Sequence, residues 1–179
     1  MQIFIHVNED NVLQGWGSSP LTEADIAVEV EENHPLFSTS PRLFVYQEGQ
    51  IIKSFELELQ RAKDKKDIEL NQACKESILA GFSHVINGIE YWFSYDKEAQ
   101  QNFSDAKQAF NDGLIESINW TVKQDGEYTR IPITNAIMQE LSLVILKHKD
   151  RNISKYRDEL MPQLKAAKTV EEVQALSWA

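Results

Sequence analysis

The chain of 179 residues holds a single cysteine, Cys74, which excludes an intrachain disulfide and a cysteine-based zinc site. Positive charge is also scarce. Eighteen Lys and Arg stand against 28 Asp and Glu, for a formal net charge of -10. A nucleic-acid backbone or an anionic membrane requires a basic face, so neither is expected as a partner. No apolar run approaches the roughly 18 residues of a membrane span. The stretch from Met1 to Val7 lacks a basic n-region and a small-residue cleavage site, so no signal peptide is expected. The composition therefore predicts a soluble protein made in a reducing compartment. The seven glycines are scattered at turns, and Gly-x-Ser-x-Gly, a Walker loop and Gly-x-Gly-x-x-Gly are all missing. None of the four histidines has a partner at a spacing typical of zinc. His84 and His148 lie on apolar stretches and are expected as hydrogen-bonded core residues. Cys74, without a placeable His and Asn or Asp, is expected as a buried inert thiol. The 28 carboxylates neither exclude nor support a glycosidase pair. No catalytic residue, metal or cofactor is assigned, and the chain is expected not to be an enzyme.

What the sequence does contain is pattern. Residues 1–50 carry eight acidic residues and one basic, Arg42. That segment reads either as a solvated acidic surface or as a docking face for a basic partner, with Glu29 and Glu31 as candidates. Ile3, Ile5 and Val7 alternate with Gln2, Phe4 and His6, which is strand periodicity. Asn8–Asn11 is a turn cluster, and Val12–Trp16 returns as a second strand. Ile26, Val28 and Val30 alternate again, Pro35 and Pro41 bracket an irregular loop, and Glu48-Gly49 closes a hairpin over 43–55. From Glu56 to Leu79 there is no Gly or Pro, and helix formers dominate. The middle of that helix, Lys63 to Asp67, is charged all round, as in a helix that bridges two bodies. Heptad signal is poor, because Lys66 and Glu69 interrupt the seam of Leu59, Ala62 and Ala73.

Asn87-Gly88 predicts a two-residue turn that sets Ile86 opposite Ile89, His84 opposite Tyr91 and Phe82 opposite Phe93. Asp125-Gly126 similarly sets Trp120 opposite Ile131, Ile118 opposite Ile133 and Val122 opposite Thr129. Asp96 caps a helix to about Asn111 with Ala99, Phe103, Ala106 and Phe110 on one stripe, and Gly113 ends it. Thr134 caps a helix continuing towards Leu160, where Pro162 is expected to break it. Thr169 and Glu172 form a capping box for a last helix over 170–176. The fold class is thus α+β. A strand-rich docking module (1–55) precedes a connecting helix (56–79) and a C-terminal module (80–179) of two β-hairpins plus three helices.

The four tryptophans divide by setting. Trp120 and Trp178 are expected to pack in the core. Trp16, flanked by Gly15 and Gly17, and Trp92, on the outer face of the first hairpin, are candidates for interface contact or for packing.

The stretch from Phe82 to Trp178 carries an aromatic hairpin (Tyr91, Phe93) and an acidic helix start (Tyr95-Asp96, Glu98, Gln100, Asn102). It continues with a Trp120 hairpin and the closing run Ala167, Thr169, Glu171, Glu172, Val173, Leu176 and Trp178. On these residues it resembles a phage-tail domain family of unknown biochemistry. Members sit at the C-termini of bacteriophage tail-fibre, baseplate and fibre-assembly proteins. Residues 1–55 resemble, more loosely, small N-terminal modules of tail-associated proteins, at Glu9–Trp16 and His34–Ile52. The resemblance implies a structural or accessory protein of a phage tail, prophage tail or tail-like particle, made in the bacterial cytoplasm. Its implied partner is a tail-fibre or baseplate protein, with a homotrimer as the state expected by analogy with fibres. The alternatives are a fibre-assembly chaperone and a module reading cell-wall carbohydrate through Trp16 or Trp92. No catalytic role is carried by the resemblance.

Overall fold

The computed structural model describes residues 1–178 as an α+β protein. The chain divides into two compact units. One comprises Met1–Lys65 with Ala167–Ala175, and the other Lys66–Ala166 with 176–178.

The first unit opens with β1 (Gln2–Val7), β2 (Leu13–Gly17) and β3 (Ile26–Glu29), an antiparallel sheet in the order β2-β1-β3. Alternation puts Ile3 and Ile5 on the inner face, both fully buried, with Leu13, Val28, Leu36, Phe44 and Ile51 in the same core. Asn8 folds the turn between β1 and β2 by accepting the Asp10 and Val12 amides on its side-chain oxygen. The loop bracketed by the two prolines contains two short 3-10 turns, Pro35–Phe37 and Pro41–Leu43. The hairpin that follows is β4 (Phe44–Gln47) with β5 (Gln50–Lys53). Phe55 falls outside it, at the start of helix α1 (Phe55–Leu79).

In the second unit, β6 (Phe82–Ile86), β7 (Ile89–Phe93), β8 (Ser117–Gln124) and β9 (Glu127–Thr134) form one sheet in the order β6-β7-β8-β9. Both hairpin registers match the turn chemistry: all six predicted cross-strand pairs occur. Asn87 and Gly88 have φ of 52° and 81°, as the turn requires. The inner face supplies Phe82, Ile86, Tyr91, Phe93, Val122 and Ile133 to the core. Ile89 shares that face in register, yet is exposed.

Helix α2 (Lys97–Asn111) is capped by Asp96, whose carboxylate accepts the Ala99 amide at 2.8 Å. Its stripe Ala99, Phe103, Ala106 and Phe110 is buried. Helix α3 (Asn135–Ser154) follows β9 without a loop and buries Met138, Leu141 and His148. Thr134 holds the cap position but makes no side-chain capping bond.

Pro162 does not break the helix. A π-helical turn, Lys155–Leu160, leads directly into α4 (Met161–Ala166), with Pro162 as its second residue. The Met161 amide donates to the Tyr156 carbonyl, an i to i−5 bond. Proline lacks the donor an α-turn needs and crowds the carbonyl four residues back. The wider turn just ahead of it removes that conflict. Tyr156, Leu160 and Leu164 are all buried, so the helix keeps one inward face through the proline.

The charged centre of α1 is not solvated all round either. Tyr156 donates a hydrogen bond to Asp67, and Lys66, only 12% exposed at its side chain, pairs with Glu69 at 3.0 Å. The last helix, α5 (Val170–Ala175), starts from the predicted cap. The Glu172 amide donates to the Thr169 hydroxyl at 3.2 Å, while the Glu172 carboxylate accepts the amide of Lys168 rather than that of Thr169.

Candidate functional site

The residues singled out by sequence fall in different places. Trp16 pairs with Ile5 across β1 and β2, lies 40% exposed, and meets Phe37 edge-on with centroids 4.9 Å apart. It is half packed, in the second strand that the sequence predicts. Glu29 and Glu31 are exposed, and Glu29 pairs with Gln2 on the opposite flank of β1 from Trp16. The structure therefore gathers no site from Trp16, Glu29 and Glu31.

Trp92 is different, and the reason begins at Gly81. This glycine sits at φ +92°, between the end of α1 and the start of β6. A Cβ there would lie 2.4 Å from the Phe93 carbonyl oxygen and 2.7 Å from the Trp92 ring. The bare glycine lets the indole lie across the start of β6. The same indole carries the Lys123 ammonium 5.1 Å from its centroid, and that ammonium is also 4.8 Å from the Tyr128 ring.

Beside Trp92 lies an open cavity of about 620 Å³, lined by Gly81, Phe82, Ser83, Val144, Lys147, His148 and Arg151 as well as the indole. Ser83 and Trp92 are cross-strand partners and so share the outer face of the sheet. Val144, Lys147 and Arg151 come from α3, which packs on the inner face through His148 beside Phe82. A cavity lined from both faces wraps the free edge of β6. No carboxylate lines it. Among the described residues neither Lys147 nor Arg151 has an ion-pair partner. His148 is held in place, its Nε2 3.0 Å from the Ile78 carbonyl. His84 departs from the hydrogen-bonded core role expected of it: its Nε2 is buried without a hydrogen bond, 3.6 Å from Glu140.

Sequence reading passed over Lys147 and Arg151. Their signal was present, because Val144, Lys147, His148 and Arg151 follow i, i+3, i+4, i+7 spacing and share a helical stripe. Trp120 was also expected in the core. It stacks on Phe103 at 4.4 Å but remains half-buried, and lines a second cleft of about 540 Å³ with Asn102, Asp105 and Asn119. Trp178 is likewise half-buried, with the Lys155 ammonium 5.0 Å from its ring.

Cys74 is 5% exposed, and its Sγ lies 3.5 Å from the Asn152 carbonyl. Burial raises the thiol pKa, which disfavours the nucleophilic thiolate. Among the described residues no three His, Cys, Asp or Glu side chains are grouped to hold a metal, and no helix is long and apolar enough to cross a membrane.

No curated protein and no solved structure matches this chain. A family model does: residues 61–177, which include all four strands of the β6-β7-β8-β9 sheet and both clefts, match "Domain of unknown function (DUF4376)", and the chain belongs to that family.

Proposed function

We propose that this protein is a non-enzymatic structural or accessory component of a phage tail, prophage tail or tail-like particle, working through contacts with a tail-fibre or baseplate protein. The observation that carries the docking role is the Trp92 groove. It combines an aromatic wall with two cations that lack partners, on a chain of net charge -10. Aromatic and Arg side chains are enriched where proteins bind one another. The assignment to a tail rests on the resemblance carried by Tyr95-Asp96, Glu98, Gln100, Asn102 and the closing run from Ala167 to Trp178. On this reading the protein resides in the virion tail or the tail-like particle and is cytoplasmic during assembly.

The test is mass spectrometry of purified particles and of a lysate pull-down, using the tagged full chain. A tail-fibre or baseplate protein should co-purify, with the chain present in finished particles. Presence in the pull-down but absence from particles identifies an assembly chaperone. Absence of any tail component from both rejects the reading.

The Trp120 cleft supports a second reading, saccharide binding. A half-buried indole beside Asn102, Asp105 and Asn119 offers a sugar one apolar face and several hydrogen-bonding groups. This relocates the carbohydrate expectation from Trp16 and Trp92. Glycan-array binding that is lost in Trp120→Ala and kept in Trp92→Ala would establish it, and a silent array would remove it.

A further inference from the structure

We infer that the edge of β6 accepts an extended, carboxylate-bearing segment of the partner as an additional strand of the sheet, with the carboxylates held by Lys147 and Arg151. This rests on the docking role proposed above and names the chemistry of what docks.

The argument starts from hydrogen-bond accounting. In a hairpin closed by a two-residue turn, the pair flanking the turn exchanges both backbone bonds, and bonded pairs then alternate along the ladder. Ile86–Ile89, His84–Tyr91 and Phe82–Phe93 are therefore the bonded pairs. The N–H and C=O groups of Ser83 and Val85 must point away from β7. β6 is a terminal strand of its sheet, pairing only with β7. No hydrogen bond of the described residues engages the Ser83 or Val85 backbone from outside that ladder. An unpaired edge is a template for another strand unless something blunts it.

The two edges of this sheet differ. On β9 the same alternation turns Tyr128, Arg130 and Pro132 outward. Proline offers no donor, and Arg130 puts a cation on that strand, so that edge is blunted. β6 contains no proline, lysine or arginine, and its outward Ser83 and Val85 side chains are exposed.

The groove sits at the open edge, not the blunted one. A strand laid along β6 would bond Ser83 and Val85, pass the Trp92 ring, and bring its side chains level with Lys147 and Arg151. Those cations lie one helical turn apart, without carboxylates nearby in the lining. Charge complementarity therefore selects an acidic segment over a basic one.

The test titrates the 15N-labelled full chain with two blocked ten-residue peptides, one alternating Val and Glu and one alternating Val and Lys, to millimolar concentration. The acidic peptide should shift the Ser83 and Val85 amides and the Trp92 indole N–H, and slow hydrogen exchange at both amides. The basic peptide should do neither. Reversing both charges (Lys147→Glu with Arg151→Glu) should weaken acidic-peptide binding by on the order of tenfold and admit the basic peptide. Val85→Pro removes an outward donor without touching the β7 ladder, and should weaken binding while leaving the melting temperature nearly unchanged. Circular dichroism confirms that each variant is folded. Equal response to both peptides, shifts confined to other surfaces, or no response at all overturns strand addition. If the charge-reversed protein still retains a tail partner in the pull-down, strand addition fails while the docking role stands. If no partner is retained even by the unaltered chain, the docking role fails as well.

Discussion

At the scale of single residues, the most constrained position is Gly81. It needs a left-handed backbone and also has no room for a Cβ between the Phe93 carbonyl and the Trp92 ring. Gly81→Ala should cost about 2–4 kcal/mol, because strain and overlap with rigid backbone add. Denaturant unfolding of the full chain measures it. Tyr156 illustrates a different constraint. Its hydroxyl donates to Asp67, and that bond, reinforced by burial, pushes its pKa up to about 12. The folded state thus holds the phenol proton more tightly than the unfolded state. The contribution is complete below pH 10 and is lost as pH rises through 12. Tyr156→Phe should lose about 1–2 kcal/mol at neutral pH, and its deficit against the parent should shrink in that alkaline window. Asp25 behaves oppositely. The Leu21 amide first, then the Thr22 hydroxyl, lower its pKa to about 2, so its support of the 21–25 turn is present above the ordinary value of 3.8. That support should fade as pH falls through about 2, followed by the exchange rate of the Leu21 amide. None of these three residues was singled out by sequence. A buried tyrosine bonded to an aspartate 89 positions away leaves no local pattern.

At the scale of elements, local chemistry was legible and continuation was not. Both two-residue turns and the Asp96 cap follow from the two or three residues that make them, and hairpin register then follows by alternation. Replacing Gly88 with Val should therefore cost about 1–3 kcal/mol, read from thermal melts, because a β-branched residue resists the positive φ of that turn. The proline in the last long helix misled for a physical reason. A lone proline argues for a break only in α geometry, and the π turn before it, which keeps Tyr156, Leu160 and Leu164 buried, has no signal in the residue types that form it. The polar middle of α1 likewise has a tertiary partner, Tyr156 on Asp67, that its composition hides. Lys147 and Arg151 were legible as a helical stripe, but their importance depends on the open β6 edge beside them, and strand order is a property of the sheet.

At the scale of the whole molecule, the two units carry separate expectations. The second holds an aromatic core from Phe82 to Leu141 within Lys66–Ala166, so that fragment should fold and melt cooperatively by itself. A fragment starting at Asn71 loses Asp67 and the buried Leu70, and should melt at a lower temperature. The first unit includes Ala167–Ala175, where Val173 is 1% exposed. Truncation after Ala166 should therefore destabilise the first unit, read as a lower melting temperature for that unit than in the full chain. The central claim is that this acidic protein docks a tail protein through the cationic groove at the β6 edge. A photo-crosslinking side chain placed at Ser83 of the full chain, in cells assembling the particle, tests it most directly. The account predicts a covalent adduct with a tail-fibre or baseplate protein that disappears when Lys147 and Arg151 are both changed to Glu. An adduct formed from the exposed Glu127 position but not from Ser83 would contradict it.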